Sequence, residues 1–148
     1  SVSICLSKGL GAPIGSILLS DQVTINKAHR LRKMLGGGMR QVGVVASCGM
    51  YALKNNVQRL QEDHDNAKCL AIGLSKISEL SIDYGENQTS MVFVDCPIKY
   101  QASLESFLFK RNIIVSNLNR GRLVCHLGIS KKDISLVISA FDDYFKEK

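Results

Sequence analysis

Lys8 stands in the run Ser7-Lys8-Gly9-Leu10-Gly11-Ala12-Pro13-Ile14-Gly15-Ser16, directly after the apolar stretch Val2-Ser3-Ile4-Cys5-Leu6. The apolar stretch predicts a short buried strand, and the small residues beyond it take bulk away from one face of a loop. A primary amine placed there can condense with a carbonyl once neighbouring cations or desolvation depress its pKa. A Schiff base with pyridoxal phosphate suits this pattern, because the glycines leave room for a flat ring beside the lysine. The competing outcome is a lysine that is simply solvated after a strand.

Two further groups have chemistry of their own. Gly36-Gly37-Gly38-Met39-Arg40 precedes a stretch of helical character. Backbone N–H groups and a helix dipole favour an anion there, and Arg40 adds a full charge; the plainer role is a glycine cap and interhelix turn. Arg122 opens Arg122-Leu123-Val124-Cys125-His126-Leu127, an apolar strand in which a charge needs a reason. Its planar fork matches a carboxylate bidentately, and Arg120 is near enough to be confused with it. His126, inside that strand, is expected to be a hydrogen-bonded core histidine. His64 is expected on a polar helix surface in a stabilising or interface role, and His29 exposed. No metal site is expected. Val45-Ala46-Ser47-Cys48-Gly49 half resembles a nucleophile elbow but lacks the first glycine and falls in a helical stretch, so serine hydrolysis is unsupported.

The elements that must position these groups alternate. After the lysine loop a second strand is expected over 14–20, then a helix capped by Ser20 or Asp21 and running to Leu35, with Gly36 at the position after the cap. A second helix is expected over 40–56. A third begins near Val57, with Leu60, Ala67, Leu70, Ala71, Leu74 and Ile77 on one face. Strands over 91–94, 113–115 and 122–127 then enclose a helix over 102–110. Ser130 followed by Asp133 predicts a capping box with Asp in place of Glu. The closing helix sets Ile134, Val137, Ile138, Phe141, Tyr144 and Phe145 on one stripe. The fold class is α/β, divided into 1–56 and 57–148, the third helix joining a large domain to a small C-terminal one.

The 148 residues can bury a real core, and 45% hydrophobic with 22% charged residues is ordinary globular composition. No apolar run reaches the roughly 18 residues of a membrane span. Five scattered cysteines (Cys5, Cys48, Cys69, Cys96, Cys125) form no C-x-x-C pair. They are expected in apolar settings, in keeping with a reducing, cytoplasmic compartment rather than a disulfide framework. Asn87-Gln88-Thr89 is formally a glycosylation sequon, without meaning unless the protein is secreted. The net charge of +6 is spread widely, with no aromatic residues interleaved for base stacking, so nucleic acid is not an expected partner. Neither is a membrane.

Leu6-Ser7-Lys8-Gly9-Leu10-Gly11-Ala12-Pro13-Ile14-Gly15-Ser16 and Arg30-Leu31-Arg32-Lys33-Met34-Leu35-Gly36-Gly37-Gly38-Met39-Arg40-Gln41 together closely resemble the low-specificity threonine aldolases. The likeness continues through Tyr51-Ala52-Leu53-Lys54-Asn55-Asn56 and residues 59–67, and returns more loosely at 122–127. The resemblance implies a fold-type-I enzyme of the aspartate-aminotransferase kind, of which this chain matches the C-terminal part: the remainder of the large cofactor-binding domain, then the small domain. It implies pyridoxal 5′-phosphate on Lys8, phosphate contact by Arg40, the substrate carboxylate on Arg122, and Lys33 near the active site on the aldehyde side. The implied reaction cleaves L-threonine or L-allo-threonine to glycine and acetaldehyde in a homotetramer. A β-eliminating lyase, giving pyruvate and ammonia, shares the lysine and the arginine. The run Asn119-Arg120-Gly121-Arg122 departs from the more apolar family pattern. The phosphate-cradling loop, the ring-stacking histidine and the aspartate on the pyridine nitrogen are expected upstream of the matched stretch. The chain without that N-terminal half is therefore expected to be inactive, poorly soluble or associated, with only a structural or assembly role.

Overall fold

A computed structural model describes residues 1–86 and 88–148, so the sequon at Asn87 lies outside the described residues. The chain divides into two compact units, Ser1–Leu60 and Gln61–Lys148.

In the first unit, β1 (Val2–Cys5) and β2 (Ser16–Leu19) form an antiparallel hairpin with Val2 opposite Leu19 and Cys5 opposite Ser16. β1 is not the buried strand expected: Val2 is 60% exposed and Ile4 37%. Two strands alone have no second layer to cover their apolar face. Helix α1 (Gln22–Met34) starts at Asp21, whose carboxylate accepts from the Thr24 N–H (2.9 Å) and hydroxyl (2.8 Å). It ends in a Schellman motif: the Gly37 N–H reaches the Arg32 carbonyl at 2.8 Å and the Gly36 N–H the Lys33 carbonyl at 3.2 Å. Gly36 supplies the left-handed conformation this ending needs, at φ 87°. Helix α2 (Gly43–Asn55) begins three residues later than the sequence pattern suggests, because Gln41 turns left-handed at φ 51° and breaks the run. Its Gly49 lies against Leu6, whose Cδ1 would stand 2.9 Å from an added Cβ. Leu6, Leu10, Ala12 and Ala52 make a small core.

The second unit contains a three-stranded antiparallel sheet in the order β3 (Ser81–Asp83), β4 (Met91–Asp95), β5 (Gly121–Val124). Helices α3 (Leu60–Leu74), α4 (Ile98–Phe109) and α5 (Lys131–Lys146) complete it. Val92 and Val94 alternate with exposed Met91 and Asp95, so one sheet face enters a core with Leu74, Leu104, Leu108, Leu118 and Phe141, all fully buried. The capping box forms as expected, Ser130 and Asp133 bonding each other's backbone N–H. The closing stripe is the core face of α5: Ile134, Phe141 and Tyr144 are buried, and Val137, Ile138 and Phe145 pack beside them.

Three strand expectations change. Ile113, Ile114 and Val115 form no strand. Asn112, left-handed at φ 59°, ends α4 in a second Schellman motif in which the Ile113 N–H reaches the Leu108 carbonyl at 3.0 Å. β5 stops at Val124 instead of Leu127, because the chain turns between the His126 carbonyl and the Ile129 N–H (2.8 Å). β3 was not anticipated; three residues are too few for a period-2 signal.

Candidate functional site

Lys8 sits on a pinned turn. The Gly11 N–H donates to the Lys8 carbonyl at 2.8 Å, the Ala12 N–H to the Leu6 carbonyl at 3.0 Å, and the Leu6 N–H to the Gly15 carbonyl at 2.9 Å. Buried Leu6, Leu10 and Ala12 anchor this loop, and Asn56 Nδ2 ties the Leu10 carbonyl at 2.7 Å. The Lys8 side chain points out of this frame and is exposed. A reactive amine needs this arrangement, a rigid backbone under a free side chain.

Cys5 is a neighbour that sequence reasoning treated as a bland hydrophobe. The hairpin register sets it opposite Ser16, and its sulfur lies 3.7 Å from the Ser7 hydroxyl and 4.0 Å from that of Ser16. The Ser7 hydrogen bond holds the Cys5 thiol below the usual cysteine range; partial desolvation opposes this, while Ser16 and the Lys8 charge add smaller pulls downward. The leading contact, with Ser7, is only two residues away, whereas the smaller one with Ser16 needs the hairpin's register. Cys125 is the opposite case: burial, with Asp63 and Cys69 nearby, pushes its thiol up to about 11. Thiolate therefore forms at Cys5 at a lower pH than at Cys125. Iodoacetamide at neutral pH should alkylate Cys5 first and leave Cys125 untouched until the protein unfolds. Equal rates by peptide mass spectrometry would contradict this ordering. Cys69 is exposed rather than apolar in setting, since it sits off the buried face of α3.

The triglycine turn is tighter than a cap requires. A Cβ on Gly37 would stand 2.9 Å from the Arg32 carbonyl oxygen, and one on Gly38 would stand 2.8 Å from Lys33 Nζ. The Lys33 ammonium thus lies across Gly38, two residues before exposed Arg40. The N-terminus of α2 just beyond, at Val42, has no side-chain cap. Lys8, Lys33 and Arg40 all belong to the first unit.

Arg122 belongs to the second. It is exposed on β5, opposite Phe93, on the sheet face away from Val92 and Val94. It helps line a groove of about 910 Å³ along β5, α5 and residues 111–116. His126 lines the same groove and is exposed, not a core histidine, because β5 has ended before it; its Nδ1 accepts from the Gly128 N–H at 3.1 Å. His29 is exposed and His64 half-buried. Ser47 donates to the Val44 carbonyl within its own helix at 2.9 Å, which leaves no nucleophile elbow.

The mixed α/β architecture is that of fold-type-I enzymes. An 8-amino-7-oxononanoate synthase from Francisella tularensis superposes with a TM-score of 0.66 at 16% identity, covering 99% of this chain and 46% of that one. An aminotransferase from Streptoalloteichus hindustanus superposes at 0.56, over 66% and 34%. At the sequence level the beta-eliminating lyase family matches residues 1–97, and the chain belongs to that family. Its relatives include the low specificity L-threonine aldolase of Escherichia coli O157:H7, 46% identical over 137 residues. Low-specificity L-threonine aldolase 1 of Arabidopsis thaliana is 39% identical over 146. The match covers 93% and 95% of this chain, but the chain spans only about 40% of the length of either relative.

Proposed function

We propose that this chain provides the lysine turn and the carboxylate-binding strand of a pyridoxal-phosphate aldehyde-lyase that cleaves L-threonine or L-allo-threonine to glycine and acetaldehyde. The observation that carries this reading is Lys8 itself: an exposed amine on a backbone held by three hydrogen bonds, inside the stretch that matches the family. The residues present fit the cofactor. Lys8 is exposed, and no ion pair to a carboxylate is found for it among the described residues. Pyridoxal phosphate, when bound, supplies a carbonyl for the amine and a ring that withdraws the electron pair released as a bond to the substrate Cα breaks.

The chain's own residues have distinct tasks. Lys8 Nζ would hold the cofactor and, when not bonded to it, would be a base able to take or return a proton. Arg122 grips the substrate carboxylate with two parallel N–H donors and so fixes the Cα orientation. Arg40 offers charge to the phosphate, and Lys33 orders the aldehyde side. A partner segment equivalent to the rest of the relatives' length would complete the site. Exposed Leu35, Val44 and Met50 in the first unit support further association of copies, as a tetramer. Five free thiols support a reducing, cytoplasmic setting. No helix among the described residues is long and apolar enough to cross a membrane.

The test is product analysis with L-threonine and pyridoxal phosphate, using the chain alone and then with the complementary segment supplied. Glycine and acetaldehyde in equal amounts, only from the combination, is the expected result. A 2-oxo acid and ammonia would turn the assignment to β-elimination. No turnover from either preparation would leave a structural or assembly role.

A further inference from the structure

Arg122 begins one residue after a loop with unusual internal constraints. Three ties hold residues 117–121: Leu118 is fully buried in the core, its carbonyl accepts from the Cys96 N–H at 2.8 Å, and the Arg120 N–H donates to Asp95 Oδ1 at 3.1 Å. The β4–β5 register pairs Phe93 with Arg122 and Val94 with Gly121, and its next step sets Asp95 opposite Arg120. The Asp95 side chain thus holds a backbone N–H immediately before β5 begins. Arg120 is left-handed at φ 48°, a conformation disfavoured for a side-chain-bearing residue. The loop has no slack, since a Cβ on Gly121 would stand 1.7 Å from the Asn117 carbonyl oxygen. The Asn119 N–H is already committed to Asn117 Oδ1 at 2.8 Å.

We propose that Asp95 is a positioning residue: by holding the left-handed Arg120 backbone it sets the start of β5, and with it the place from which Arg122 meets the substrate carboxylate. The inference rests on the carboxylate role of Arg122 given under the proposed function. A bidentate grip tolerates little displacement of the guanidinium's root, because both N–H vectors must align with two oxygens together. Without the Asp95 carboxylate, the tie on the Arg120 N–H is lost and Arg120 is freer to relax toward an ordinary conformation. Gly121 and Arg122 would move with it.

The experiment measures KM and kcat for L-threonine in the complemented enzyme, with amide hydrogen exchange of residues 120 and 121 as a readout independent of turnover. Asp95→Ala should raise KM about five- to tenfold with kcat within about twofold, and speed exchange at Arg120 on the order of tenfold. Asp95→Asn keeps an acceptor oxygen and should restore both. Arg120→Gly keeps the N–H and should leave KM unchanged. An unchanged KM in Asp95→Ala, or a fall in kcat alone as from mere loss of folded protein, overturns the proposal. So does a KM increase in Arg120→Gly, which would place the Arg120 side chain itself on the substrate. Arg122→Lys separates the two levels. If it leaves KM unchanged, the carboxylate assignment fails and takes the proposal with it; if it raises KM while Asp95→Ala does not, only the proposal fails.

Discussion

Replacing Lys8 by alanine should lower turnover of L-threonine by about a thousandfold or more in the complemented enzyme, while leaving the unfolding transition where it was. The two halves of that expectation have separate physical grounds. The catalytic loss follows because no other group on this turn offers a primary amine. Cys5, Ser7 and Ser16 are the polar side chains gathered beside it, and none can form the same covalent link. The unchanged stability follows because the turn is built from the Lys8 carbonyl, the Leu6 backbone and buried Leu6, Leu10 and Ala12, not from the exposed Lys8 side chain. Surface substitutions of that kind usually stay within about 0.5 kcal/mol. Lys8→Arg refines the test: it keeps the positive charge but loses the nucleophile, and it should be as inactive as alanine. Borohydride reduction in the presence of pyridoxal phosphate should place the reduced cofactor on the Lys8 peptide of the parent protein and on no peptide of either variant. Cofactor trapped at Lys33 instead would move the chemistry to the triglycine turn and refute the role given to Lys8.

For stability, the largest effect should come from Phe141→Ala. Phe141 is the largest fully buried side chain among the described residues and lies on the core stripe of α5. Its neighbours along that helix, Tyr144 and Phe145, are already locked in edge-to-face contact with each other, and with Phe107 and Tyr100 respectively. They have little freedom to close over a vacated ring. The truncation should therefore remove about 3–5 kcal/mol, combining lost transfer energy with a cavity that cannot collapse. That is a large part of the roughly 5–15 kcal/mol that stabilises a typical domain. A substantial drop in denaturant midpoint is expected, with the loss confined to the second unit. Leu136→Ala is the comparison: the same helix, but 56% exposed, and expected within about 0.5 kcal/mol. If Phe141→Ala shifts stability by no more than Leu136→Ala does, the α5 stripe is not the core described here.

Local rules carried much of the sequence reading. The Asp21 and Ser130 caps, the glycine ending of α1 and the apolar stripes of α3 and α5 depend on contacts within a few residues, so their signatures are complete in the linear sequence. The loop around Lys8 was legible as a turn for a related reason: its run of small residues is local, and the chain closes there through short-range backbone hydrogen bonds.

Where pairing or layering decides the outcome, the linear pattern misled. Ile113, Ile114 and Val115 have strand composition, yet the left-handed turn at Asn112 draws the chain into the ending of α4 before any ladder forms. His126 has the pattern of a strand-interior residue, but β5 ends two residues earlier and leaves it in the open. The lowered Cys5 thiol depends first on the side-chain contact with Ser7, and the hairpin register adds Ser16 across from it. Asp95 and Arg120 are 25 positions apart, and no periodicity links a carboxylate at the end of one strand to a backbone N–H before another. The sequence by itself determined which residue types could do chemistry and the capped starts of α1 and α5, because side-chain type and short-range hydrogen bonding suffice for both. Tertiary structure alone decided which of those residues are held, covered or brought together, because strand register and burial depend on partners remote in the chain.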